Sequence, residues 1–251
     1  MSAEGAAGSP VALVTGGGTG LGLEISRQLK DLGYSLAITY SRSEAEATAG
    51  AESLRAAGAT VSLHKVDISV GSQVDALMDA VYRNHDRLDL VVNNAGATRW
   101  IPYPDLASAG EEAWDEVLDV NLKGTYLVSR AAALRMLPAG GGAMLNIASA
   151  AGITVGGSSI PYAVSKAGVV HLTKMLAVAL APKIRVNCIA PSMLQTRWWA
   201  EHQEGAQNYV KNSRFGRAIT VADTARAAVM LATNESISGQ TLLVDLAGSL
   251  H

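Results

Sequence analysis

The chain has 251 residues, 49% of them hydrophobic, and its 20 Lys and Arg against 22 Asp and Glu give a formal net charge of -2. That length supports a substantial core in one α/β domain, and the near-balanced charge offers no general attraction for a phosphate backbone, so no nucleic-acid partner is expected. The single cysteine, Cys188 in "RVNCIAP", forms no internal disulfide and reads as a buried strand residue rather than a nucleophile.

The first ten residues, "MSAEGAAGSP", carry neither a basic n-region nor an apolar h-region, and 1-9 read as a disordered leader. No apolar stretch reaches membrane-spanning length before a charge interrupts it, so the expectation is a cytoplasmic protein with no membrane partner. Apolar β-rich runs then alternate with helix-period segments: "VALVTG" and "GLEISRQLKDLGY", "SLAITY" and "EAEATAGAESLRAAG", "TVSLHKVD" and "VDALMDAVYRNH". The alternation continues through "LDLVVNNAG", one long helix "EAWDEVLDVNLKGTYLVSRAAALRML", "GAMLNIAS", "YAVSKAGVVHLTKMLAVALA", "KIRVNCIAP" and "QTLLVD". Parallel strands need crossover connections, so the seven runs predict a single Rossmann-type α/β domain over 10-251. Its parallel seven-stranded sheet is doubly wound, with helices on both faces. A polar and aromatic insertion at about 193-217 suits a cover over a pocket at the strand carboxyl ends.

"TGGGTGLG", Thr15 to Gly22, joins the first strand to the first helix. It does not satisfy G-x-G-x-x-G, because Leu21 stands where the third glycine belongs; alone it is either a nucleotide site or a plain turn. In its position, Gly16 permits a tight turn, Gly20 lets backbone approach a phosphate, and Gly22 lets the helix lie close to the sheet. After the second strand comes "TYSRS", with Ser41 and Arg42 and no carboxylate before Glu44. Hydroxyls and an arginine favour a ribose 2′-phosphate over a 2′-hydroxyl, hence NADP(H) rather than NAD(H). Asp67 ends the third strand, where it can accept from an adenine amino group, and "NNAG", Asn93 to Gly96, ends the fourth. Either also reads as ordinary turn chemistry.

Tyr162 and Lys166 in "PYAVSKAGVV" are four residues apart on one helix face. An ammonium beside a phenol lowers the phenol's usual pKa of about 10, although such a pair alone is also an ordinary helix face. Ser149 ends the fifth strand and Asn121 lies in "DVNLKG". With these residues together, the chain resembles the short-chain dehydrogenase/reductase family from about Val11 to Gly248. "TGGGTGLG" matches its T-G-x-x-x-G-x-G loop, "NNAG" its fourth-strand motif, and Asn121, Ser149, Tyr162 and Lys166 its catalytic tetrad. The resemblance implies that Tyr162 is the general acid or base and that Ser149 polarises the substrate oxygen. It further implies that Lys166 lowers the Tyr162 pKa and binds the nicotinamide ribose, and that Asn121 holds a water. Cofactor contacts are implied for Gly16, Gly18, Thr19, Gly20, Leu21, Gly22, Ser41, Arg42, Asp67, Ile68, Asn93, Ala95, Gly96, Tyr162, Lys166, Pro191, Leu194 and Thr196. Two departures stand out: Pro191-Ser192 where the family reads P-G, and "VDLAGS" where it favours "VDGG", a stretch that is mostly assembly surface in the family.

Trp100, Ile153, Trp198 and Trp199 are the candidate substrate-pocket residues, the tryptophans forming an apolar wall or simply anchoring the lid. The expected reaction is NADPH-dependent reduction of a ketone to a secondary alcohol. Reduction of 3-oxoacyl groups on acyl carrier protein or CoA is the second reading, weakened by the absence of Lys and Arg from "MLPAGGGAML", and a non-catalytic NADP sensor or scaffold is the third. The five histidines have no ligand-spaced partners, so no metal site is expected. The helix around Tyr162 is apolar on more than one stripe, and the resemblance implies a homo-oligomer, with a tetramer favoured.

Overall fold

All seven apolar runs form strands in the computed structural model, which describes residues 8-194, 196 and 202-250. They are β1 (Val11–Val14), β2 (Ser35–Tyr40), β3 (Val61–Lys65), β4 (Leu90–Asn93), β5 (Gly142–Ile147), β6 (Ile184–Pro191) and β7 (Thr241–Val244). Every neighbouring pair is parallel, in the order β3-β2-β1-β4-β5-β6-β7. The chain thus winds outward from β1, returns, and winds outward again from β4. That reversal opens a crevice at the carboxyl ends of β1 and β4.

Strand side chains alternate between two cores, which is why "VALV" is apolar at every position rather than at every second one. Val11 and Leu13 join the core under α3 (Gly71–His85), α5 (Thr125–Met136) and α6 (Ile160–Leu180). Ala12 and Val14 join the opposite core under α1 (Gly20–Asp31), α2 (Glu44–Ala56) and α8 (Val221–Thr233). Cys188 is buried on β6. α6 is long and apolar enough to cross a membrane by length and composition. Here it lies along β6 and buries Lys166, Val169, Thr173 and Leu176, leaving Met175 and Val178 exposed.

The long helix expected after "NNAG" is not uniform. It divides into α4 (Glu111–Leu118), a π-helical turn over Asp119–Gly124, and α5. The wider turn carries Asn121, and Thr125 Oγ1 donates to the Asn121 carbonyl at 2.7 Å. A single extra residue in a turn barely disturbs an apolar pattern, so periodicity does not reveal it. In the insertion, α7 (Gln203–Asn212) is helical; Trp198 and Trp199 lie outside the described residues, as do residues 1-7 of the leader.

Candidate active site

A cavity of about 770 Å³ occupies the crevice and reaches from Arg42 to Tyr162. Gly16, Gly18, Thr19, Gly20 and Leu21 form its wall beside β1. Gly20 has φ +52° at the start of α1, and among the described residues a Cβ there would find only Thr196 Cγ2, 3.9 Å away, so this backbone borders open space. Gly22 does not line the cavity. A Cβ on it would come within 2.5 Å of Asn94 Nδ2, and closer still to the Gly16 carbonyl, so α1 presses on the loop itself rather than on the sheet.

Asn93 departs from its expected role. Its side chain is buried beneath the sheet end, where Nδ2 donates to Ser129 Oγ at 2.9 Å and Asn146 Oδ1 at 2.8 Å, and it does not reach the cavity. Because successive strand side chains face opposite ways, its neighbour Asn94 takes the cavity side. Asn94 Nδ2 donates to the carbonyls of Thr15 at 2.9 Å and Gly16 at 3.2 Å, while the backbone amides of Asn94 and Ala95 donate to Thr15 Oγ1, both at 3.0 Å. Asn94 and Thr15 therefore fix the glycine loop to β4; strand alternation is the sequence signal that finds Asn94.

Ser41, Arg42, Asp67, Ile68, Ala95 and Gly96 line the same cavity. The Asp67 carboxylate accepts from Ser69 N at 3.0 Å and Ser69 Oγ at 2.6 Å, and these hydrogen bonds hold it below its ordinary pKa. Asp67 is thus also a turn residue. Arg42 is largely exposed and pairs with Glu116 on α4 at 3.5 Å.

At the other end, Ser149, Tyr162 and Lys166 converge. Ser149 is extended, and its Oγ accepts from Ala151 N at 3.2 Å, capping a short 3-10 turn over Ala150–Gly152. Tyr162 stands in the first turn of α6, set by the Ser159 cap, whose Oγ accepts from Tyr162 N at 3.3 Å, and by Pro161. Lys166, one turn on, donates from Nζ to the Ile147 carbonyl at 2.9 Å and lies 5.8 Å from the Tyr162 ring centre. Burial pushes the Lys166 ammonium down to about 8. Burial also holds the Tyr162 phenol above its ordinary value, with the Ser149 hydrogen bond opposing it. The net direction at Tyr162 is thus upward, because desolvation of the phenolate outweighs the Ser149 hydrogen bond.

Asn121 is wholly buried and does not line the cavity. Its Oδ1 accepts from Ala97 N at 2.8 Å, and its Nδ2 donates to the Ala97 carbonyl and to Ser165 Oγ, each at 2.9 Å. Ser165 in turn donates to the Tyr162 carbonyl at 2.7 Å. Asn121 and Ser165 so join the strand-four loop to the helix turn that carries Tyr162; Ser165 had no sequence signal beyond its place in α6.

At the mouth, Trp100 lines the cavity and its ring lies 4.1 Å from that of His202, tilted by 32°. Ile153 is half-exposed and does not line it; Thr154 and Val155 do. Pro191, Ser192, Leu194 and Thr196 border the crevice, and Ser192 adopts no left-handed backbone, so serine replaces the family's glycine without strain there. The carboxyl-terminal "VDLAGS" also belongs to the cavity wall through Asp245, Gly248 and Ser249, not only to an outer surface. Leu246 and Ala247 take left-handed φ values of +49° and +59°, where the resemblance expected two glycines.

A family model described as enoyl-(acyl carrier protein) reductase matches residues 16-247. The chain belongs to the short-chain dehydrogenase/reductase family. A Streptomyces violaceoruber protein of the granaticin polyketide synthase, named as ketoacyl reductase 2, is 36% identical over 249 residues, covering 97% of this chain and 96% of that protein. A Chlamydia muridarum protein named 3-oxoacyl-(acyl-carrier-protein) reductase FabG is 35% identical, over 93% of this chain and 95% of its own. Among solved structures, a variant of actinorhodin polyketide ketoreductase with NADPH superposes with a TM-score of 0.90 at 29% identity, over 97% of this chain and 98% of that one. The protein is accordingly an oxidoreductase of the short-chain dehydrogenase/reductase family, and its Rossmann-type sheet is the family's fold.

Proposed function

We propose that the protein uses NADPH to reduce a ketone to a secondary alcohol, and catalyses the reverse oxidation. The observation that carries this reading is the convergence of half-buried Ser149 and Tyr162 with buried Lys166 at one end of a cavity whose other end presents Gly20 and Arg42. The protein groups suit a phosphorylated dinucleotide. Gly20 leaves space against the amino-terminal amides of α1, which attract a pyrophosphate, and Arg42 offers a mobile guanidinium to a 2′-phosphate. Ser192 Oγ is buried without a hydrogen-bond partner among the described residues, on the wall near the proposed nicotinamide end.

The bound cofactor would supply the hydride. Ser149 holds the carbonyl oxygen, and Tyr162 Oη donates the proton to the oxygen as negative charge develops on it. The phenolate left behind is what Lys166 stabilises; with its pKa at about 8, the ammonium predominates at neutral pH. Asn121, through Ala97 and Ser165, ties the strand-four loop to the turn of α6 that carries Tyr162.

A 3-oxoacyl thioester is the second reading, favoured by the names of the Streptomyces and Chlamydia relatives. NADPH oxidation over cyclic, aromatic and 3-oxoacyl ketones distinguishes the two, with Tyr162→Phe alongside. The expected result is turnover that falls by about 10³-fold in the variant, the scale of a lost general acid. NADPH binding without turnover on any ketone would instead support a sensor. For assembly, the exposed Tyr126 and Leu134 of α5 and Met175 and Val178 of α6 support a homo-oligomer; sedimentation velocity showing only single chains at micromolar concentration would refute it.

A further inference from the structure

Glu116 lines the cavity beside Ser41, Arg42 and Ser43, and its two oxygens are held unequally. Oε2 accepts from Arg99 Nε at 2.6 Å, and Arg99 is itself anchored by Glu112 at 2.8 Å. Oε1 meets Arg42 Nη1 at only 3.5 Å, and the Arg42 side chain is 86% exposed against 27% for Glu116. A long, exposed ion pair of this kind exchanges readily, whereas the short bond to Arg99 does not. Arg42 is free to move and the carboxylate is fixed.

We infer that Glu116 is a specificity-determining residue that opposes binding of a 2′-phosphate, by holding Arg42 and by leaving a fixed negative charge where the phosphate docks. The inference rests on the NADP(H) reading of the site. A ribose 2′-phosphate must first draw Arg42 from Glu116, and its charge of roughly -1.5 to -2 then faces the carboxylate. For charges within a Debye length in water-like surroundings, that repulsion alone weakens binding about five-fold, and salt screens it. A cofactor with a free 2′-hydroxyl meets neither cost. Preference for NADP(H) over NAD(H) is therefore set by the Arg42 and Glu116 pair, not by Arg42 alone.

Dissociation constants for NADPH and NADH, from nicotinamide fluorescence at low ionic strength, test this in the full-length protein and in Glu116→Gln. Gln keeps the side-chain shape, and Arg99 keeps Glu112, so the fold is expected to persist; Glu116→Ala provides a second variant. The expected result is NADPH binding about five-fold tighter in the variants, NADH changed by less than about two-fold, and a difference that fades in 0.5 M salt. An unchanged ratio of the two constants, or weaker NADPH binding, overturns the inference. Arg42→Ala separates this outcome from failure of the cofactor reading: if that change leaves the preference for the 2′-phosphate intact, it is the assignment of Arg42 that fails.

Discussion

The two ends of the cavity are built from opposite materials. Around Tyr162 the polar groups are buried or half-buried and tied to rigid elements: Lys166 to the end of β5, Asn121 to both the strand-four loop and α6, and Ser149 to its own turn. Around Arg42 they are exposed charges joined by ion pairs, with Glu116 shared between two arginines. Buried hydrogen bonds fix geometry to fractions of an ångström, which proton transfer requires; exposed ion pairs fix little, which suffices for holding a charged phosphate. The lesson is a division of labour: positional accuracy at one end, adjustable electrostatics at the other.

The largest effect that tests this contrast is in Lys166→Met. Loss of the ammonium beside Tyr162 is expected to lower kcat by about 10³-fold with little change in fold, measurable with the best ketone found for the native protein. A loss below ten-fold would remove Lys166 from the proton-transfer machinery. At the other end, Arg42→Ala is expected to raise the NADPH dissociation constant about ten-fold while sparing kcat at saturation, since only a charge-assisted contact is lost. A collapse of kcat there would dissolve the distinction between the two ends.

The smallest effect concerns stability. Burial lowers Lys166 in the folded protein to about 8 from its ordinary 10.5. Below pH 8 both folded and unfolded states hold the proton, so the folded protein bears the full cost of a buried charge. Between about 8 and 10.5 the folded state sheds its proton first and that cost fades, so this group's contribution to stability rises with pH over that window. Lys166→Met is expected to be about 1-2 kcal/mol more stable than the native protein at pH 7, after losing the bond to Ile147, and to lose that advantage by pH 10. Denaturant melts at the two pH values check this; a destabilised variant at pH 7 would mean that the ammonium is better compensated than its surroundings indicate.

Much of the fold was legible in the residues themselves. Short apolar, β-rich runs such as "VALV" and "SLAITY" read as strands covered on both faces, and β2 matches its run from Ser35 to Tyr40. The loop from Thr15 to Gly22 and the four-residue spacing of Tyr162 and Lys166 likewise placed both ends of the cavity, because short motifs carry their own local geometry. What motifs do not carry is which way a neighbour faces or what it meets across the crevice. Asn93 and Asn94 are the same residue type one position apart, yet one is committed to Ser129 and Asn146 and the other to the glycine loop. The π-helical turn at Asn121 and the role of Ser165 were also invisible, since each depends on packing between α4, α5 and α6.

The sequence by itself determined the sheet and which residues bound the two ends of the cavity, the glycine loop at one and Tyr162 with Lys166 at the other. Those features follow from local periodicity and from residue chemistry at fixed spacing. Only the tertiary structure decided that burial raises the Tyr162 phenol, that Asn121 lies beneath the cavity, and that Glu116 faces Arg42 from α4. Burial and long-range charge pairing depend on the distances between elements far apart in the chain, and those distances exist only once the sheet has wound.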